Sequence, residues 1–101
     1  MKLYFYTANI IDGITVEVCD AIEKPKTYCK ENDFFPIHLS RVRKEDIGKF
    51  IDWCIVLTEP NFEYAKEVFR NRVERRIADK LKEIEKLKAE LKIINESEER
   101  K

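Results

Sequence analysis

The chain has 101 residues, in which 20 Lys and Arg balance 20 Asp and Glu, so its formal net charge is zero. This balance argues against a polyanion-coating protein and against an acidic mimic of DNA. Charged residues make up 40% of the sequence, compared with about 25% in an average soluble domain. The length supports one domain, whose core is modest unless a second chain contributes to it.

The first half of the chain has the pattern of β-strands. Residues 2–11 are rich in Tyr, Phe and Ile, and residues 14–19 alternate apolar with polar side chains. Asp12 and Gly13 stand between these segments. They predict a hairpin with a two-residue type I′ turn, in which both central residues have positive φ.

Shorter strands are expected further along the chain, at residues 27–29 and 37–42. A last strand is predicted at residues 50–57, where the sequence is apolar on both faces, so this strand should be central in the sheet. Before it, residues 44–49 predict a single helical turn that is closed by Gly48.

The last third of the chain predicts one long amphipathic helix. Between residues 60 and 95, apolar side chains recur every three or four positions, which is the repeat of one helical face. Pro60 suits the first turn, and Thr58 or Asn61 can cap it. At 1.5 Å per residue, such a helix would be about 50 Å long.

These elements together predict an α+β fold within one domain. Residues 1–58 should form a small antiparallel sheet of about four or five strands. Residues 59–95 should form the long C-terminal helix, which packs on the sheet and on a partner chain. Residues 96–101 contain no apolar side chain and should fray.

The distal part of the helix has the spacing of a coiled-coil seam. From Val73 to Ile94 the six steps between apolar positions cover 21 residues, which gives a period of 3.5. Burying these side chains would contribute on the order of 10 kcal/mol before entropy costs. One alternative is a helix that folds back on its own sheet. We instead expect a homodimer or higher oligomer, in which the distal helix pairs antiparallel with its copy or lies across the partner's sheet. The expected interface residues are Ile77, Leu81, Ile84, Leu87, Leu91 and Ile94.

Two adjacent aromatic residues, Phe34 and Phe35, follow a polar turn. Neighbouring residues of a strand point to opposite faces, so both rings cannot enter one core. Either one ring is buried while the other covers the sheet edge, or the pair forms an exposed loop that binds another protein. Phe35 should be the more buried ring, because it shares strand parity with Ile37 and Leu39.

Basic residues in the middle of the helix indicate an alternative function. Arg72, Arg75 and Arg76 share one helical face by their spacing. Together with Arg41 and Arg43 they would form a phosphate-binding stripe for nucleic acid. Acidic residues interrupt this cluster, so the same charges also fit an ordinary solvated face.

No catalytic, metal-binding or nucleotide-binding motif stands out. His38 is the single histidine, and a tetrahedral zinc site could in principle combine it with the three cysteines, Cys19, Cys29 and Cys54, although their spacing follows no zinc motif. Cys19 and Cys54 lie within strand patterns and are expected as small core residues. Three unpaired thiols are typical of a reducing cytoplasm. We therefore expect a cytoplasmic protein without enzymatic activity, cofactor, metal or membrane span.

Three short motifs occur in a fixed order along the chain. They are Lys-Pro-Lys-Thr-Tyr at residues 24–28, Lys-Glu-Asp-Ile-Gly-Lys at residues 44–49, and Leu-Thr-Glu at residues 57–59, which leads into a Lys/Glu-rich helix. Over residues 20–95 this order resembles small uncharacterised proteins carried by prophages and other mobile elements of Gram-positive bacteria. The resemblance implies a β-meander followed by a coiled-coil helix. It also implies an accessory protein that acts by binding, as a regulator or as an inhibitor of a host defence system.

Overall fold

The structure is a computed structural model that describes residues 1–30, 33–36 and 39–99. The chain divides into two compact units, Met1–Phe69 and Arg70–Lys101. All the described strands belong to the first unit, and one long helix begins in the first unit and continues into the second. The elements are β1 (Lys2–Asn9), β2 (Gly13–Asp20), β3 (Ile22–Glu23), β4 (Thr27–Cys29), β5 (Arg41–Arg43), β6 (Phe50–Ile51), β7 (Cys54–Leu57) and α1 (Phe62–Glu96).

The strands form two antiparallel sheets, so the predicted α+β class is confirmed while the single sheet is replaced by two. The main sheet has the strand order β2-β1-β7-β6, and the smaller sheet has the order β3-β4-β5. The helix begins at Phe62 and ends at Glu96, close to the predicted limits.

The hairpin of β1 and β2 is confirmed, but its predicted two-residue turn is wrong. Asn9 is paired with Gly13, so three residues lie between the strand ends, and positive φ is found at Gly13 (+71°) and not at Asp12. The side-chain oxygen of Asn9 accepts the backbone N–H groups of Ile11 and Asp12, at 2.9 and 2.7 Å. This local side-chain cap holds the wider loop that the sequence pattern did not reveal.

The predicted continuous strand at residues 50–57 is wrong. The segment is a second hairpin, in which β6 and β7 are joined by Asp52 and Trp53, with Ile51 paired to Cys54. Asp52 and Trp53 have φ values of 41° and 70°, the positive region that a type I′ turn requires. The expected central position is confirmed for β7, which lies between β1 and β6 with all its residues buried.

The strand predicted at residues 37–42 is displaced toward the C-terminus. The structure places β5 at Arg41–Arg43, while Ile37 and His38 lie outside the described residues. Phe35 and Leu39 are joined by an antiparallel bridge, so they belong to opposite arms and not to one strand. After β5, the predicted helical turn is a 3-10 helix at Lys44–Asp46, and Gly48 follows with φ +83°.

The middle of the main sheet, formed by β1 and β7, is covered on both faces within the first unit. Alternate residues of β1 and β7 point to opposite sides, so the same strands supply two cores. On one side they pack against the smaller sheet and Phe35 in a cluster formed by Leu3, Phe5, Cys19, Ala21, Tyr28, Phe35, Val42, Cys54 and Val56. On the other side they pack against the start of α1 in a cluster formed by Tyr6, Ile55, Leu57, Ala65 and Phe69.

The start of α1 is fixed to the main sheet by hydrogen bonds. The side-chain oxygen of Asn61 accepts the backbone N–H of Tyr64 at 3.0 Å, which makes Asn61 the N-cap that the sequence offered as one of two choices. The hydroxyl of Tyr6 accepts the backbone N–H of Asn61 at 3.0 Å. The Tyr64 hydroxyl donates to the carbonyl of Gly48 at 2.7 Å, and a Cβ at Gly48 would lie 3.0 Å from that hydroxyl oxygen.

Candidate interaction surfaces

The apolar seam of α1 is the largest set of exposed hydrophobic side chains on the helix. We define the seam as Val73 together with the six predicted interface residues. Each seam residue is between 45% and 68% exposed. The buried residues of α1 are Ala65 and Phe69, both in its first turns. The structure therefore places all six predicted interface residues, Ile77, Leu81, Ile84, Leu87, Leu91 and Ile94, on solvent-exposed helix.

The remaining faces of the distal helix carry charge. Ion pairs join Lys80 to Glu83 at 3.5 Å and Lys88 to Glu85 at 3.8 Å. Pairs this exposed contribute between about 0 and 1 kcal/mol each, so they do not replace a core. Charged side chains therefore lie beside the apolar seam along the distal helix, together with the exposed Ile93.

The predicted aromatic pair is divided between core and surface. Phe35 is 2% exposed, and its ring centre lies 5.1 Å from that of Phe5. Phe34 is 56% exposed, and its backbone N–H donates to Asp33 at 2.7 Å. Phe35 is the more buried ring, as expected. The reason given for this expectation was that Phe35 and Leu39 share the parity of one strand, whereas in the structure the two residues face each other across an antiparallel bridge. Of the two predicted partner-binding residues, only Phe34 presents its ring to solvent.

Trp53 is an exposed aromatic residue that the sequence analysis placed within a strand. It is 70% exposed in the tight turn before β7. Its ring lies edge-on to Phe50 at 6.3 Å, and Phe50 in turn meets Phe69 edge-on at 6.0 Å. The signal that could have identified this turn is Asp52, because Asp is depleted in central strands.

The predicted basic residues of the first unit border an open cleft of about 600 Å³ beside β4 and β5. Arg43 pairs with Glu45 at 3.0 Å and with Asp46 at 3.1 Å, contacts that raise its pKa. Lys44 pairs with Glu23 at 2.7 Å. These carboxylates offset much of the local positive charge. The cleft is lined by Pro25, Lys26, Thr27, Arg41, Arg43, Lys44 and Glu45.

The predicted basic residues of the helix belong to the second unit, where Arg75 and Arg76 are exposed and Arg72 is partly exposed. Arg72, Arg75 and Arg76 lie on α1, whereas Arg41 and Arg43 lie on β5 of the first unit. Within its own unit, each group is a candidate contact for phosphate groups.

Two of the three cysteines are core residues, as predicted. Cys19 and Cys54 are buried, and Cys29 is partly exposed. Burial raises the pKa of the Cys19 thiol, and it raises the pKa of the Cys54 thiol from 9.0 to about 11, with a smaller contribution from the nearby Asp52 carboxylate. Thiols in this state are poor nucleophiles and poor metal ligands near neutral pH.

The described part of the chain has no candidate metal site. Its residues contain no group of three or more His, Cys, Asp and Glu side chains that could hold a metal ion. Among the described residues, no helix is both long enough and apolar enough to cross a membrane. His38 lies outside the described residues.

Strand β2 is an open edge of the main sheet. It pairs with β1 on one side and has no strand neighbour on the other among the described residues. Ile14, Val16 and Val18 pair with Ala8, Tyr6 and Tyr4 of β1, so they share the sheet face on which α1 begins. Val16 and Val18 are 49% and 47% exposed. The first unit therefore has an apolar surface of its own, separate from the seam.

Comparisons with protein-family models, with curated proteins and with solved structures found no match to this chain.

Proposed function

We propose that this protein is a non-enzymatic interaction protein whose chains self-associate, most simply as a homodimer, through the seam of α1. One observation carries the proposal: the seam repeats every 3.5 residues and is about half exposed along its whole length. A second helix supplies the holes into which such residues pack. Without one, a long apolar stripe in water favours aggregation.

Replacing Leu87 and Leu91 together with Asp tests the seam. A carboxylate buried in an apolar interface costs several kcal/mol, so we expect the double variant to dissociate to single chains. The measurement is molar mass by light scattering at micromolar concentration, with helix content followed by circular dichroism. We expect the wild-type chain to have at least the mass of a dimer.

Ala89→Asp is the matched control. Ala89 is exposed on the helix face opposite Leu87 and Leu91. Its variant therefore introduces the same residue, Asp, into the same helix but outside the seam. The control should keep the wild-type mass. A wild-type chain that is helical and has the mass of one chain would contradict the proposal.

The wider biological role that we propose is that of an accessory protein acting by binding. The resemblance to prophage and mobile-element proteins supports this role, as a regulator or as an inhibitor of a host defence system. Exposed aromatic side chains such as Phe34 and Trp53 suit contact with a protein partner, because aromatic residues are enriched among the strongest contributors to binding.

Nucleic-acid binding is the second candidate function, and the cleft beside β5 is the observation that favours it. Four cationic side chains and one carboxylate line this cleft. Retardation of generic DNA or RNA that weakens steeply with added salt would support this function, because phosphate contacts release counterions. Under the interaction proposal, such retardation should be absent at physiological salt.

A further inference from the structure

The direction of the backbone groups along β2 follows from its pairing with β1. The amino group of Met1 donates to the carbonyl of Ala21 at 3.2 Å, and the N–H of Ala21 donates to the carbonyl of Met1 at 2.8 Å. Hydrogen-bonded and non-hydrogen-bonded pairs alternate along an antiparallel ladder. With the register in which Leu3 faces Cys19, the odd-numbered residues of β2 therefore bond to β1.

The even-numbered residues of β2 consequently direct their N–H and C=O groups to the open edge. These residues are Ile14, Val16, Val18 and Asp20, and the side chains of the first three lie on the α1 side of the sheet. The strand is eight residues long, its register with β1 is unbroken by a bulge, and it contains neither Pro nor Lys. Of the usual devices that protect a sheet edge from pairing, β2 therefore lacks a bulge, Pro and Lys, and its charged residues are Glu17 and Asp20.

We propose that β2 pairs antiparallel with β2 of a second copy, about a two-fold axis that passes between the two copies of Val16. The pairing deepens the proposed self-association, on which it rests, by adding a second contact surface. In this register Ile14 faces Val18 of the partner subunit and Val16 faces Val16 of the partner subunit. Three apolar pairs then line one sheet face, and their backbones exchange roughly six hydrogen bonds.

Charge selects this register over its neighbour. An axis through Glu17 would bring two Glu17 carboxylates directly opposite each other, which is destabilising. The axis through Val16 instead places Glu17 opposite Thr15 of the partner subunit. The paired ladder then ends where Gly13 faces Cys19 of the partner subunit, and Asp20 lies beyond it, next to the loop that contains Asp12. The edge is self-complementary in this arrangement, as a two-fold interface requires.

These features fit a second copy of the chain as the partner of β2. The surface area buried by edge pairing alone is too small for a stable dimer. Stable complexes bury about 1,200–2,000 Å² in total, which a single strand pair does not reach. The seam of α1 supplies the remaining contact area under the proposed function. A strand from an unrelated protein would lack the two-fold relation between identical residues.

Cysteine cross-linking tests the register. Val16→Cys and Val18→Cys are matched variants, because the two positions are almost equally exposed. Both are made with Cys29→Ser, since Cys29 is the least buried natural cysteine. The proteins are oxidised with diamide, and the disulfide-linked dimer is measured on a non-reducing gel, with a thermal melt of each variant to verify folding.

The Val16→Cys variant should cross-link and the Val18→Cys variant should not. Across a hydrogen-bonded pair the two Cα atoms are about 5.5 Å apart, within the range of a disulfide. The two copies of residue 18 would be separated by four residues along the ladder, or about 13 Å. We expect about tenfold more linked dimer from Val16→Cys, because a disulfide cannot span more than about 7 Å between Cα atoms.

Equal cross-linking of the two variants, or stronger cross-linking of Val18→Cys, would overturn the β2 pairing. No cross-link from either variant, in a protein that light scattering shows to be oligomeric, would overturn it as well. These outcomes leave the seam intact if the Leu87→Asp, Leu91→Asp protein still dissociates. Conversely, selective linkage at residue 16 with no effect of the seam variant would overturn the seam and keep the pairing.

Discussion

The two units of this protein differ in where their apolar side chains are placed. In the described chain, every buried residue lies in Met1–Phe69 and none lies in Arg70–Lys101. The contrast occurs within one helix, because Ala65 and Phe69 of α1 are buried while the seam residues, which continue the same apolar face, are exposed. The amphipathic pattern is the same in both units, and a covering surface is present in only one.

This difference has energetic consequences. Each large apolar side chain that is fully buried stabilises a fold by about 1.5–3 kcal/mol, and the first unit has two clusters of such residues. In proteins, most of the stability of a helix comes from the packing of its amphipathic face and not from helix propensity. The first unit should therefore fold on its own contacts, whereas the order of the distal helix should depend on association.

The largest effect on stability is expected from Phe35 in the first unit. Phe35→Ala removes a ring from the core cluster and should lower the free energy of unfolding by about 3–5 kcal/mol. Phe34→Ala is the control, because this ring is exposed, and it should change stability by less than about 0.5 kcal/mol. Chemical denaturation followed by tryptophan fluorescence measures both. Similar losses at the two positions would mean that Phe34 is a core residue and has no binding role.

A smaller effect is expected at the start of α1, where the helix meets the main sheet. Asn61→Ala removes the side-chain acceptor for the Tyr64 N–H and should lower the free energy of unfolding by about 1 kcal/mol. Asn61→Asp keeps an acceptor at the same place and should be nearly neutral. Both are measured by denaturation of the assembled protein. An unchanged stability of Asn61→Ala would show that the contacts of Ala65 and Phe69 alone hold the helix start in the first unit.

An effect of similar size to that at Asn61 is expected at the turn between β6 and β7. Trp53 adopts φ 70°, which glycine accepts freely and other residues adopt at a cost. Trp53→Gly and Trp53→Ala both remove the ring contact with Phe50, so their difference isolates the backbone. We expect the Gly variant to be more stable than the Ala variant by about 1 kcal/mol in thermal melts. Equal stabilities would indicate that the turn relaxes and that β7 holds its place through burial alone.

The two hairpin turns show that a local sequence pattern does not by itself determine the turn type. Asp12 and Gly13 matched the type I′ pattern, but the Asn9 side chain caps a three-residue loop there. The type I′ geometry occurs instead at Asp52 and Trp53, neither of which is a glycine. Turn propensity amounts to about 1 kcal/mol, and the burial of all of β7 outweighs it.

The candidate surfaces were predicted to different extents. The seam was read directly from periodicity, because a helical face repeats whether or not anything covers it. The separation of Phe34 from Phe35 followed from the opposite directions of neighbouring side chains. The open edge of β2 was not predicted, because a strand's position in a sheet depends on which long-range partners it finds.

The sequence by itself determined the α+β class, the position and length of the helix, its exposed seam and the core role of Cys19 and Cys54. These features rest on side-chain periods that each segment carries alone. Tertiary structure decided the division into two sheets, the hairpin at residues 50–57 and the edge position of β2. Those features depend on contacts between residues far apart in the chain, such as Phe5 with Val56 and Tyr28 with Val42. A local pattern is compatible with several such pairings, and only the joint burial of both faces of β1 and β7 selects one.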